Sequence, residues 1–161
     1  MVKNYVFNVQ EDTVNQIISN NNLLGEDDNI ASTSLVYTVT SLTNINGVLK
    51  NNGVFVNTSD TFTQDNVNNN LITYTPTTNF DSTASFNFTI GETVGGLQSS
   101  VQQFTIMISN VNNAPVVNKS NKTINEDTSS FIMPTDLTIT DTNSGHILSN
   151  ITSMRPGRRL L

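Results

Sequence analysis

The chain has 161 residues, of which 35% are hydrophobic and only 12% charged. That is enough for one small two-sheet core of about 110 residues and a remnant. A net charge of -6 argues against nucleic-acid binding, which wants a basic stripe, and the absence of cysteine excludes a disulfide framework, a four-cysteine zinc site and a thiol nucleophile.

With so few charges, solubility rests on uncharged polar groups, chiefly 26 Asn and 23 Thr. Thr favours strands, whereas Asn favours turns and tolerates positive φ, so this composition suits strands joined by tight turns. No run of about 18 apolar residues marks a membrane span. The first seven residues lack the apolar core of a signal peptide and pass straight into a strand pattern. The expectation is a fragment of a longer protein whose targeting signal lies elsewhere.

In chain order, residues 5–9 alternate as a first strand, ended by the carboxylates of Glu11 and Asp12. Ile17 and Ile18 resume strand character before the Asn20-Asn21-Asn22 break, and residues 25–29 form an acidic loop. Residues 35–40 predict a strand with Leu35, Tyr37 and Val39 on one face. Asn51-Asn52-Gly53 between two apolar runs predicts a hairpin turn. Residues 60–67 are the one stretch suited to a helical turn, with Asp60 or Thr61 as its cap. Strands follow at 71–75, stopped by Pro76; at 84–90, with Phe86, Phe88 and Ile90 inward; and at 101–108, with Phe104, Ile106 and Ile108 inward. Gly95-Gly96 supplies a turn between the last two. About seven strands with no long helix predict an all-β, immunoglobulin-like antiparallel sandwich.

The chain then repeats its own beginning. Val9-Gln10-Glu11-Asp12-Thr13 returns as Ile124-Asn125-Glu126-Asp127-Thr128, 115 residues later. A fixed offset of this size marks a tandem array. Between the copies, Pro115 fixes its own φ and holds Ala114 extended, which makes a stiff spacer. The expected organisation is a sandwich repeat over 1–109, a linker over 110–117, an incomplete second repeat over 118–153 and an atypical Arg-rich tail over 154–161. All three arginines of the chain fall in that tail. Strands near 131–133 and 137–140 are expected to lack full partners.

Residues 73–76, 79–80 and 85–90, with the linker Val111-Asn112-Asn113-Ala114-Pro115-Val116 and the Glu-Asp-Thr openings, carry a resemblance. They resemble the cadherin-like repeats of large bacterial surface proteins. Gly47-Val48-Leu49 and Phe62-Thr63-Gln64-Asp65 are similar to the related chondroitin-sulfate-proteoglycan-type repeats. The resemblance implies an adhesive or spacing repeat of a cell-surface or secreted protein, partnered by neighbouring repeats and by a surface protein or glycan. It also implies calcium at the joints, held by Glu11, Asn110, Asn112, Asn113, Asp141 and Asn143. Asn110, Asn113 and Asn143 stand where the family pattern has Asp. Each change keeps a carbonyl ligand but removes a charge, so weak, millimolar-range binding is expected. Asp27, Asp28 and Asp81 are further candidates. As solvated turn formers, the same residues need no ion.

Catalytic chemistry is thin. His146 is the lone histidine and sits in a turn sequence, and no acidic residue lies within a strongly apolar stretch that would raise its pKa. A structural repeat is therefore the first reading. The alternative is an ancillary carbohydrate-binding sandwich, for which exposed aromatics are needed; Trp is absent and all three Tyr fall in strand patterns.

Overall fold

The computed structural model describes residues 2–28, 30–93, 97–128, 130 and 137–141. The chain divides into two compact units, Met1–Val111 and Asn112–Leu161. The first is built from β1 (Val2–Asn4), β2 (Phe7–Gln10), β3 (Gln16–Ile17), β4 (Leu23–Gly25), β5 (Val36–Ser41), β6 (Gly47–Asn51), β7 (Val54–Phe55), β8 (Thr61–Thr63), α1 (Gln64–Asn68), β9 (Ile72–Pro76), β10 (Thr83–Gly91) and β11 (Gln102–Ser109). A five-stranded sheet runs in the order β2-β11-β10-β5-β8, and a four-stranded sheet in the order β3-β9-β6-β7. β1 and β4 form a separate antiparallel pair.

The alternation read from the sequence sets which side chains meet between the sheets. Phe86, Phe88, Phe104, Ile106, Tyr37 and Val39 from the larger sheet share one buried cluster with Leu49, Ile72 and Tyr74 from the smaller. The larger sheet also carries a ladder of aromatic rings in strand order. Phe7 on β2 meets Phe104 on β11 at 6.2 Å between ring centres. Phe104 meets Phe86 on β10 at 5.1 Å, and Phe86 meets Phe88 at 5.9 Å. Phe88 meets Tyr37 on β5 at 5.4 Å, and Tyr37 stacks on Phe62 of β8 at 4.9 Å. Offset and tilted rings at such spacings add attraction beyond the apolar area that they bury.

Three local expectations change. The first strand is split: Tyr5 and Val6 lie outside strands, and the Tyr5 N–H donates to Asn22 O at 2.9 Å. That break lets the chain leave the β1–β4 pair and cross to the larger sheet, where β2 runs parallel to β11. Every other strand pair among the described residues is antiparallel. The helical turn is present, but its cap is Thr63, not Asp60 or Thr61. Thr61–Thr63 pair with β5 and are drawn into the sheet, while Asp60 Oδ2 accepts the Asn57 N–H at 2.8 Å in the preceding turn. Thr63 and Asn66 then cap the helix reciprocally. The hairpin at 51–53 forms as expected, with Asn52 at φ 48° and Gly53 at φ 80°, the left-handed pair that a two-residue turn demands. The Gly95-Gly96 turn and the strand near 131–133 lie outside the described residues.

Burial raises the Tyr74 hydroxyl from its ordinary value of 10.0 to about 12, while that hydroxyl donates to Ile45 O at 2.7 Å and Asn46 O at 2.9 Å. The neutral form is favoured in the folded state, so the unfolded chain loses its proton first. The Tyr74 contribution is expected to be constant below pH 10 and to be lost as pH rises from 10 through about 12. Urea midpoints taken across that range check this, and Tyr74→Phe should make the fall shallower, leaving the part that buried Tyr37 contributes in the same direction.

In the second unit, β12 (Val116–Lys119) pairs antiparallel with β13 (Leu137–Thr140). The last two residues of the linker sequence, Val116 and Val117, are therefore strand, and β13 has a partner along its whole length.

Candidate functional site

Several acidic residues of the first unit lie at one or the other of its two ends. β2 and β11 run side by side and in the same direction, so the strand that begins the larger sheet and the strand that closes it leave toward the same end. The Glu11 N–H donates to Ser109 O at 3.0 Å, which carries the pairing one step past β2. The Glu11 side chain then turns inward and is only 2% exposed. Its Oε1 accepts the Val111 N–H at 2.8 Å, across 100 residues of sequence. A charge-assisted bond of this kind is stronger than a neutral one. It pins the departing chain to the first strand.

The next residue, Asp12, takes a left-handed φ of 60°. Its Oδ1 accepts the Asn79 N–H at 3.1 Å, which ties the turn to the loop before β10. The Thr13 hydroxyl closes the turn on Gln10 O at 2.6 Å. From the same loop, Asp81 Oδ2 accepts the Asn110 amide at 3.2 Å. Glu11, Asp12, Asp81, Asn79 and Asn110 are thus brought to the end where the chain leaves the sandwich. Asp12 carries more of this construction than the sequence reading gave it.

At the opposite end, near the start of β11, a cleft is lined by Glu26, Asp27 and Glu92 together with Val2, Ile90 and Gln102. Glu26 pairs with the Lys3 ammonium at 2.9 Å, and this partner raises the lysine pKa. Asp27 Oδ1 accepts the Ile30 N–H at 3.3 Å, as a turn former does, and Asp28 is exposed.

Of the six residues assigned to calcium on the sequence, Glu11 and Asn110 lie in the first unit, at the end just described. Asn112, Asn113 and Asp141 belong to the second unit, Asn112 exposed and the other two half-buried. Asn143 lies outside the described residues. The donors at the Glu11 end are all oxygen, which suits a hard cation in preference to a soft one. Among the described residues no group of three or more His, Cys, Asp or Glu side chains is close enough to hold a metal ion. No helix among them is long and apolar enough to cross a membrane.

A cadherin-like family model matches residues 1–108. No curated protein matches the chain, and no solved structure does.

Proposed function

The chain belongs to the cadherin-like family, and on that premise we propose that it is a non-catalytic structural and adhesive repeat of an extracellular protein, strung end to end with neighbouring repeats. The observation that carries this reading is the parallel pairing of β2 with β11. Because the strand that enters the larger sheet and the strand that closes it point the same way, the chain joins that sheet at one end and leaves it at the other. The eight residues of β11 separate the two ends by about 26 Å. Most domains keep their termini close together. Opposed ends instead transmit length and tension from one repeat to the next, which is what a spacer requires.

Calcium at the joint is the finer part of the proposal. In an end-to-end array the Glu11 end of one repeat faces the Glu26–Asp27 end of the next, and both ends of this sandwich carry carboxylates. When bound, a calcium ion supplies the charge that lets them approach. Glu11 and Asn110 would contribute from one side, Asn112 and Asn113 follow Val111 in the chain, and the remaining oxygens would come from the neighbouring repeat. The carbohydrate-binding alternative is the weaker one. Tyr37 and Tyr74 are fully buried. The exposed Phe55 has the Lys50 ammonium over its ring at 5.1 Å, which leaves less of that face for a sugar.

The test is thermal unfolding of the full chain with chelator and with calcium, repeated on Glu11→Gln. A glutamine keeps an oxygen for the Val111 N–H and removes the charge. At calcium about ten times the dissociation constant, the native state gains about 1.4 kcal/mol by linkage, a rise of several degrees. That rise is expected in the parent chain and not in the variant. An equal melting temperature with and without calcium would leave an ion-independent spacer.

A further inference from the structure

In an end-to-end array, tension enters the larger sheet through the chain that leads into β2 and leaves through the chain that follows β11. These strands lie side by side and run the same way, with Phe7 opposite Ile106, Asn8 opposite Met107, Val9 opposite Ile108 and Gln10 opposite Ser109. A pull on the start of β2 and the end of β11 therefore slides one strand past the other. Every bond between them is loaded at once. A pull across the pair, at the end where β2 begins, loads one bond after another. Slippage offers no easy release. Phe7 and Val9 are buried while Asn8 and Gln10 are exposed, and a shift of one residue would exchange those faces.

The contact continues where the paired residues stop. The Glu11 N–H donates to Ser109 O at 3.0 Å, and the Ser109 hydroxyl donates to Val9 O at 3.3 Å. Glu11 Oε1 then accepts the Val111 N–H at 2.8 Å. By continuation of the register, Val111 lies one residue beyond the position opposite Glu11. Forward sliding of β11 carries Val111 further from Glu11, so this bond stretches from the first displacement. Its acceptor side chain is only 2% exposed, which leaves water little access to take the place of the Val111 N–H.

We propose that Glu11 is a mechanical latch. Its carboxylate extends the sliding contact of β2 and β11 into the departing chain, and so raises the force at which the sandwich opens under end-to-end tension. The latch rests on the spacer reading for the direction of the pull, and it needs no calcium.

Single-molecule force spectroscopy on the full chain, in chelator, tests it. The sequence has no cysteine, so introduced thiols can carry the handles. Tyr5→Cys with Ala114→Cys pulls the two strands lengthwise, and Tyr5→Cys with Gln103→Cys pulls them apart sideways. All three side chains are exposed, and Tyr5 lies between β1 and β2, so neither pull acts through the β1–β4 pair. The lengthwise opening force is expected to be severalfold the sideways force. Glu11→Ala should lower the lengthwise force and leave the sideways force unchanged, because sideways opening starts at Phe7 and reaches Glu11 last. Glu11→Gln keeps an oxygen for the Val111 N–H and should retain most of the lengthwise force. A general loss of stability would instead lower both forces in proportion. That result, equal forces in the two directions, or a lengthwise force that Glu11→Ala leaves unchanged would each overturn the latch. None of them alters the calcium-dependent melting that tests the joint.

Discussion

Phe88→Ala is expected to lower the free energy of unfolding by about 3–5 kcal/mol, the range for truncating a buried phenylalanine. Phe88 is fully buried on β10, and β10 lies between β11 and β5 in the larger sheet. Its ring touches Phe86 at 5.9 Å on one side and Tyr37 at 5.4 Å on the other. Removing it therefore opens a cavity and also cuts the aromatic ladder in the middle. The backbone around it is held by ladders on both sides, so collapse to fill the void is restricted. Phe7→Ala gives the comparison. Phe7 lies on the edge strand β2, is 7% exposed and has one ring neighbour at 6.2 Å, so its loss should cost less. Urea unfolding with an unchanged slope and a lower midpoint is the readout. Because a domain of this size is stable by only about 5–15 kcal/mol, the variant should lose a large part of its margin. A cost for Phe88→Ala no greater than for Phe7→Ala would remove the ladder as the centre of the core.

Most of the sandwich was legible because alternation in a strand needs nothing beyond the strand itself. Tyr37, Val39, Phe86, Phe88, Phe104 and Ile106 are all buried as the period of two requires. The Asn52-Gly53 turn was legible for the same local reason. What the sequence hid depends on partners far along the chain. Glu11 reads as a strand-ending acid, and only the return of the chain as β11 places Val111 within reach of its carboxylate. The parallel run of β2 is likewise decided by which edge of the sheet stays open, not by residues 7–10 themselves. Asp60 and Thr61 look like helix-cap residues in sequence, but β5 draws Thr61 into a strand with Thr63 at its end. Thr63 still serves as the cap because it is the last residue of that strand.

Gln64 has no structural role legible in the sequence, where it is one polar residue in a polar stretch, and Gln64→Leu is expected to cost about 3 kcal/mol. The side chain is fully buried on the first turn of α1. Its Oε1 accepts the Gly25 N–H at 2.7 Å and also the Tyr37 hydroxyl, while Nε2 donates to Asn68 Oδ1 at 3.0 Å. One amide thus ties β4, β5 and the helix together. Leucine has a similar volume, so cavity formation is small, and the loss falls on the orphaned partners. A buried donor left without an acceptor costs about 1–3 kcal/mol, and here two are left, the Gly25 N–H and the Tyr37 O–H. Burial has already raised the Tyr37 hydroxyl above its ordinary pKa, so ionisation offers it no escape near neutral pH. The double variant Gln64→Leu with Tyr37→Phe separates the two causes. If the orphaned hydroxyl matters, removing it should recover about 1 kcal/mol relative to the sum of the single costs, as coupled neighbours do. If the two costs simply add, the Tyr37 hydroxyl is not coupled to the amide, and the penalty of Gln64→Leu falls on the Gly25 N–H and on packing. The distinction bears on the proposed joint as well. Gly25 is the last residue of β4 and comes just before Glu26 and Asp27, so a brace at Gln64 would also fix the acidic end that a neighbouring repeat would meet.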